Sequence, residues 1–173
     1  MAGTMFPRRR GLVADAAIGA GAGLAATAAV AVIMQMAPRL GFNPAGKDAG
    51  GQPQVGSPEA ASESVDILAR AATGREVPEG GEMAATSAFQ FLFGASLGVA
   101  YGVAARLFPA VTAARGTLFG TAIFAAFDQV LVPAAGLSGK PEDSRASVHA
   151  GALGTHLVFG LVLEQVRRLL GRR

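Results

Sequence analysis

Cysteine and tryptophan are both absent, and one tyrosine, Tyr101, stands among 173 residues. Without thiols there is no disulfide, no thiolate metal site, no lipid-modified cysteine and no cysteine nucleophile. Charge is scarce as well. Asp, Glu, Lys and Arg supply 16% of the chain, where soluble domains carry about 25%. That composition argues against a disordered chain and against an ordinary soluble enzyme. The sequence has no P-loop, no HExxH, no dinucleotide fingerprint and no paired-carboxylate motif. Its two histidines, His149 and His156, are seven residues apart. With no third histidine and no cysteine they do not make a closed transition-metal site. The expectation is therefore no enzyme, no cofactor and no metal. Gly136-Leu137-Ser138-Gly139 does have the GxSG form used by rhomboid-type intramembrane proteases, with His156 after it. It adjoins the charged Lys140, Glu142 and Asp143, and four spans are fewer than that fold requires, so hydrolysis is the remotest reading.

What the chain has in abundance is apolar length. Apolar residues make up 51%, glycine occupies 24 positions, and mean hydropathy is +0.40. Residues 16–38 and 83–105 are each 23 positions without a charge, and 146–163 are another 18. A fourth stretch, 116–139, is broken only by Asp128. A helix needs about 20 mostly apolar residues to cross the hydrocarbon. The runs lack the period-2 alternation of barrel strands, so helices are the only spanning architecture that fits. The reading is an all-α polytopic membrane protein: one membrane domain over 1–173, a four-helix transmembrane bundle with spans at about 12–37, 83–107, 115–134 and 147–168. The first run exceeds the 7–15 apolar residues of a signal peptide, so it is read as a retained span.

Lys and Arg set the orientation. With the N terminus in the cytoplasm, the inner segments hold nine: Arg8, Arg9, Arg10, Arg106, Arg115, Arg167, Arg168, Arg172 and Arg173. The outer loops hold six: Arg39, Lys47, Arg70, Arg75, Lys140 and Arg145. Both termini are then cytoplasmic, and the expected location is a bacterial inner membrane. The net charge of +3 is a topology signal. No basic patch is interleaved with aromatics, which excludes a nucleic-acid partner.

The outer loop, 38–82, opens with a Gly, Pro, Asn and Gln-rich linker over 38–56. Ser57-Pro58 then gives a helix start and Gly74 a stop. Ala61, Val65, Leu68 and Ala72 recur at helical spacing between them. This predicts a short amphipathic helix over about 58–73, either capping the bundle or docking a partner.

Small residues repeat every four positions: Gly94, Gly98 and Gly102 in the second span, Gly19 and Gly23 in the first, Gly116 and Gly120 in the third. Such faces let backbones approach closely. They serve packing within one chain or pairing with a second copy. Besides the lipid bilayer, a homodimer or another membrane protein is thus the partner class.

Polar residues inside the membrane carry the strongest functional signal, because an ionised Asp there costs about 2.5–3.5 kcal/mol. Counting about 1.5 Å per residue puts Gln90, Asp128 and His156 at roughly one depth, 10–13 Å from the outer face. The third and fourth spans form an antiparallel hairpin, so Asp128 and His156 are candidate neighbours. The layer is either a hydrogen-bonded structural knot or a site for protons or small polar solutes. Glu164 near Arg167 and Arg168 reads as an ion pair at the inner interface.

Three stretches together resemble the YagU-like family of bacterial inner-membrane proteins of unknown function. They are Phe91-x-Phe93-Gly94-x-x-x-Gly98-x-x-Tyr101-Gly102 with Phe108-Pro109 and Gly116; Asp128 with Val132-Pro133 and the 136–138 turn; and His156, Gly160, Glu164 and Arg167-Arg168. The segment ending at Leu68-Ala-Arg-Ala-Ala-Thr-Gly74 is similar too, and the likeness spans about 55–170. Family members often carry His where Gln90 stands. The resemblance implies a four-span inner-membrane protein and supplies no activity. The leading expectation is a non-enzymatic structural or accessory membrane protein. The alternative is a small channel or transporter using Asp128 and His156.

Overall fold

The computed structural model describes residues 11–40, 58–78, 80–134 and 146–172. The arginines at 8–10, the linker over 41–57 and the Gly136–Gly139 turn lie outside the described residues. The described chain is helical, with no strand. Helix α1, Leu12–Met36, ends in a 3-10 turn over Ala37–Leu40. Helix α2 is Pro58–Thr73 and α3 is Glu82–Leu107. A 3-10 segment, Pro109–Gly116, leads into α4, Thr117–Ile123. A π-helical stretch, Phe124–Leu131, carries the chain on to α5, Val132–Ala134, and α6 is Ala146–Leu170. Among the described residues three segments are long and apolar enough to cross a membrane: Leu12–Met36, Glu82–Leu107 and Pro109–Ala134.

The third of these departs from the smooth helix expected over 115–134. Ala113 is extended, and Ala114 and Arg115 are left-handed, at φ 49° and 58°. A Cβ makes that region costly, about 1–2 kcal/mol per residue. Gly116 follows at φ 90° and reverses the chain where a side chain has no room. A Cβ there would strike the Gly160 carbonyl and Glu164 Cβ. Regular helix therefore begins at Thr117. The π stretch also has a local cause. Pro133 has no N–H for the Gln129 carbonyl and its ring crowds that carbonyl, so the turn before it widens to i→i+5 bonding.

Packing runs through backbone rather than bulky side chains. Along α1 and α3, Asp15 meets Gly102, Gly19 meets Gly98 and Gly23 meets Gly94, which makes the two helices antiparallel. A Cβ at Gly19 would strike the Gly98 carbonyl, and one at Gly94 would strike Thr27 Oγ1. Along α4 and α6, Gly116 meets Gly160 and Gly120 meets the His156 carbonyl, again antiparallel. Helix α6 also runs against α1, with Gly21 beside Leu170 at one end. The order around the molecule is α3, α1, α6, α4. The interior holds Ala22, Ala26, Tyr101, Ile123, Phe159 and Leu163. Large apolar side chains point outward, among them Val13, Val32, Leu92, Leu118 and Val130. An interior of Gly and Ala with Leu and Val outside is the arrangement lipid favours, since soluble monomers rarely expose so much apolar surface. Helix α2 packs on α3 and buries Val65, with Ile67 left exposed.

Candidate functional site

Among the described residues two carboxylates are buried inside this packing, Asp128 and Glu164. Their surroundings differ, and the difference decides what each can do.

Glu164 lies in the last third of α6, which aligns it and the two following arginines on one face at i+3 and i+4. Its side chain is fully enclosed. Arg167 Nε donates to Oε2 at 2.7 Å and its Nη2 donates to Oε1 at 3.0 Å. Arg168 Nε donates to Oε1 as well. From α3, the Tyr101 hydroxyl donates to Oε2 at 2.9 Å. The Arg167 guanidinium lies 5.9 Å from the Tyr101 ring centre, and that ring packs on Phe119. Both oxygens of Glu164 are satisfied, so this cluster ties α3 to α6. At the same end of the molecule Arg106 donates to Asp15 Oδ2 at 2.8 Å and ties α3 to α1. Sequence reasoning paired Glu164 with the arginines and missed Tyr101. The signal available was the chain's one tyrosine, set in a glycine-lined stretch where a hydroxyl needs a partner.

Asp128 lies in the π stretch and is 5% exposed. Its Oδ1 is 3.6 Å from His156 Nε2, a charge-pair distance too long for a hydrogen bond. Its Oδ2 is buried with no hydrogen-bond partner among the described residues. His156 Nδ1 donates to the Ala152 carbonyl one turn back on α6, at 2.9 Å. The ring lies 5.8 Å from that of Phe124. Next to Asp128, Gln129 donates to His149 Nδ1 at 3.3 Å. Asp128, His156, Gln129 and His149 thus form two polar pairs between α6 and the π stretch.

The three residues counted to one depth do not form one layer. Asp128 and His156 come together. Gln90 is on the exposed side of α3; depth counting gives height along a helix and says nothing of rotation about it. Gln129 supplies the amide beside the pair instead. Its only sequence signal was adjacency to Asp128. Gly19, Gly23, Gly94, Gly98, Gly102, Gly116 and Gly120 all lie in contacts within the chain.

Among the described residues no group of three or more His, Asp or Glu side chains is placed to hold a metal ion. The two polar clusters are separated along α6 by the eight residues from His156 to Glu164, about 12 Å of helix. Phe159 and Leu163, both buried, fill that interval with Ile123. A groove of about 330 Å³ between α1 and α6 is lined by Ile33, Met34, Ala37, Gly151, Gly154, Thr155 and Val158 and is almost wholly apolar. A family model described as a protein of unknown function (DUF1440) matches residues 51–165. Neither the curated proteins nor the solved structures yield a match.

Proposed function

The chain belongs to the DUF1440 family of proteins of unknown function, and on that premise we propose that it is a four-span, non-enzymatic membrane protein with a structural or accessory role. In this reading it is a YagU-like protein of a bacterial inner membrane, and residues 1–173 form one membrane domain. Helix α6 is the fourth span. Its 25 residues match the length of α1, and it lies along both α1 and α4. Both termini are cytoplasmic, and α2 is an amphipathic helix at the outer surface. The observation that carries the structural role is the saturated Glu164 cluster, which joins α3 to α6 and leaves neither oxygen of that carboxylate without a donor. The lipid bilayer is the surrounding partner, and a further membrane protein is the class of partner it would serve. The glycine faces are occupied within the chain, which favours internal packing over pairing of two copies.

The test exploits the absence of cysteine. Ile67→Cys, Ala110→Cys and Arg172→Cys each place one thiol at an exposed position. A membrane-impermeant maleimide added to intact cells should label only Ile67→Cys. Labelling of Arg172→Cys from outside would remove α6 from the spans, and labelling of Ala110→Cys would invert the topology.

A second reading has its own support. The unpartnered Oδ2 of Asp128 is atypical of a purely structural polar cluster. It favours a small channel or transporter for protons or small polar solutes working through Asp128 and His156.

A further inference from the structure

We propose that Asp128 and His156 form a binding site for a single exchangeable proton, open toward the Ala146 end of α6 and closed toward the Leu170 end. It rests on the polar pair of the second reading, and it makes that pair a proton-binding site rather than a conduit.

The geometry counts the protons. His156 Nδ1 donates to the Ala152 carbonyl, so in a neutral ring Nε2 carries a lone pair. That lone pair faces Asp128 Oδ1 at 3.6 Å. With no proton between them, a carboxylate and a lone pair oppose each other in apolar surroundings. With one, the pair is either imidazolium and carboxylate or imidazole and carboxylic acid, and both are attractive. With two, an imidazolium is left without its counter-charge, a costly state when buried. One proton is the stable occupancy. It comes from hydronium: one O–H bond of hydronium breaks, one N–H or O–H bond forms in the site, and a water molecule is released.

The site is also built so that its proton can exchange. Protonating Glu164 would weaken the bonds it accepts from three side chains. Among the described residues Asp128 has one oxygen with no such bond to lose. It lies on a π turn, a geometry frequent at functional sites. The groups facing it are His156 and His149 from α6 and Gln129 on its own stretch. From α3 the neighbour is Phe93, edge-on to Phe127 at 5.1 Å. The other charged groups of the long helices stand toward their ends: Asp15, Glu82 and Arg106, with the Glu164 cluster at the far end of α6. Among the described residues, polar groups continue from the pair toward Ala146, through Gln129 and His149. Toward Leu170 they give way to Phe159, Ile123 and Leu163.

The experiment is infrared difference spectroscopy of the full chain, oriented in phospholipid vesicles, with the pH stepped on one side at a time. The signal of that proton, a carboxylic acid C=O band when Asp128 carries it and an imidazolium N–H when His156 does, should rise and fall with the pH of the outer side alone. Asp128→Asn should abolish the C=O band, and His156→Gln should displace the midpoint of the response. Ring-nitrogen NMR of the wild-type chain, ¹⁵N-labelled at histidine, reads the same proton without any substitution and tells an imidazolium from a carboxylic acid. Sidedness is read from Ala110→Cys labelling in the same vesicles, so an error of topology appears as misplaced label and not as a missing band. A wild type in which neither the C=O band nor the His156 nitrogens respond, a C=O band that survives Asp128→Asn, or a response to the inner side would each overturn the proposal.

Discussion

At the scale of residues, the described part of the protein contains two buried carboxylates that burial alone does not distinguish. Hydrogen-bond saturation does. Glu164 accepts from Tyr101, Arg167 and Arg168, and removing one partner from such a cluster leaves the others with an uncompensated charge. Glu164→Gln should therefore destabilise the fold by about 3 kcal/mol. Tyr101→Phe deletes a single hydroxyl bond to a charged group and should cost about 1 kcal/mol. Reversible unfolding by SDS in mixed micelles measures both. Equal losses would mean that the tyrosine bridge to α3, and not the arginines, carries the stabilising effect of the cluster. The sequence displayed one half of this cluster, because i+3 and i+4 spacing within a helix is visible in one dimension. Tyr101 lies 63 residues away from Glu164, and which way its ring turns depends on how α3 is rotated. The same blindness to rotation put Gln90 in a layer from which the structure excludes it.

At the scale of elements, four-residue glycine spacing was legible because it needs no knowledge of a partner. What it could not give was the register that sets Gly98 against Gly19 and Gly120 against the His156 carbonyl. Register makes the prediction specific. Gly98→Ala puts a methyl group into the Gly19 carbonyl, backbone against backbone with no side chain to yield. Overpacking of that kind costs about 1–3 kcal/mol, and α1 should separate from α3. Gly154 has nothing within 4 Å of its Cβ position, so Gly154→Ala should be neutral or stabilise by up to about 1 kcal/mol through helix propensity. Thermal unfolding in detergent compares the two. A similar loss for both would show that glycine acts here through flexibility instead of close approach. The π stretch and the left-handed turn at Ala114 and Arg115 were not legible. Ala and Arg rarely take positive φ, and only tertiary contact with α6 selects it. Pro133 was the one local sign that the third segment is irregular.

At the scale of the whole molecule, the polar groups fall into two clusters with apolar packing between them. One joins the helix ends around Asp15, Arg106 and Glu164. The other lies between α6 and the π stretch around Asp128 and His156. Water or a proton passing from one to the other would have to cross the layer of Ile123, Phe159 and Leu163, which are at most 8% exposed. No polar side chain of that core bridges the interval: Tyr101 turns its hydroxyl to Glu164, away from Asp128. A sealed bundle with a proton site on one side has a definite behaviour in vesicles. Proteoliposomes loaded with a pH-sensitive dye should hold an imposed gradient as long as protein-free liposomes do, both for the wild type and for Asp128→Asn. Dissipation by the wild type that disappears in a folded Asp128→Asn variant would make Asp128 part of a conduit and favour transport. Retention by both, together with one-sided titration of Asp128, would place the response to protons in the packing of α6 against the π stretch. Those two segments share the pair, so a change in its charge acts first on their contact and then, through the Glu164 cluster, on α3.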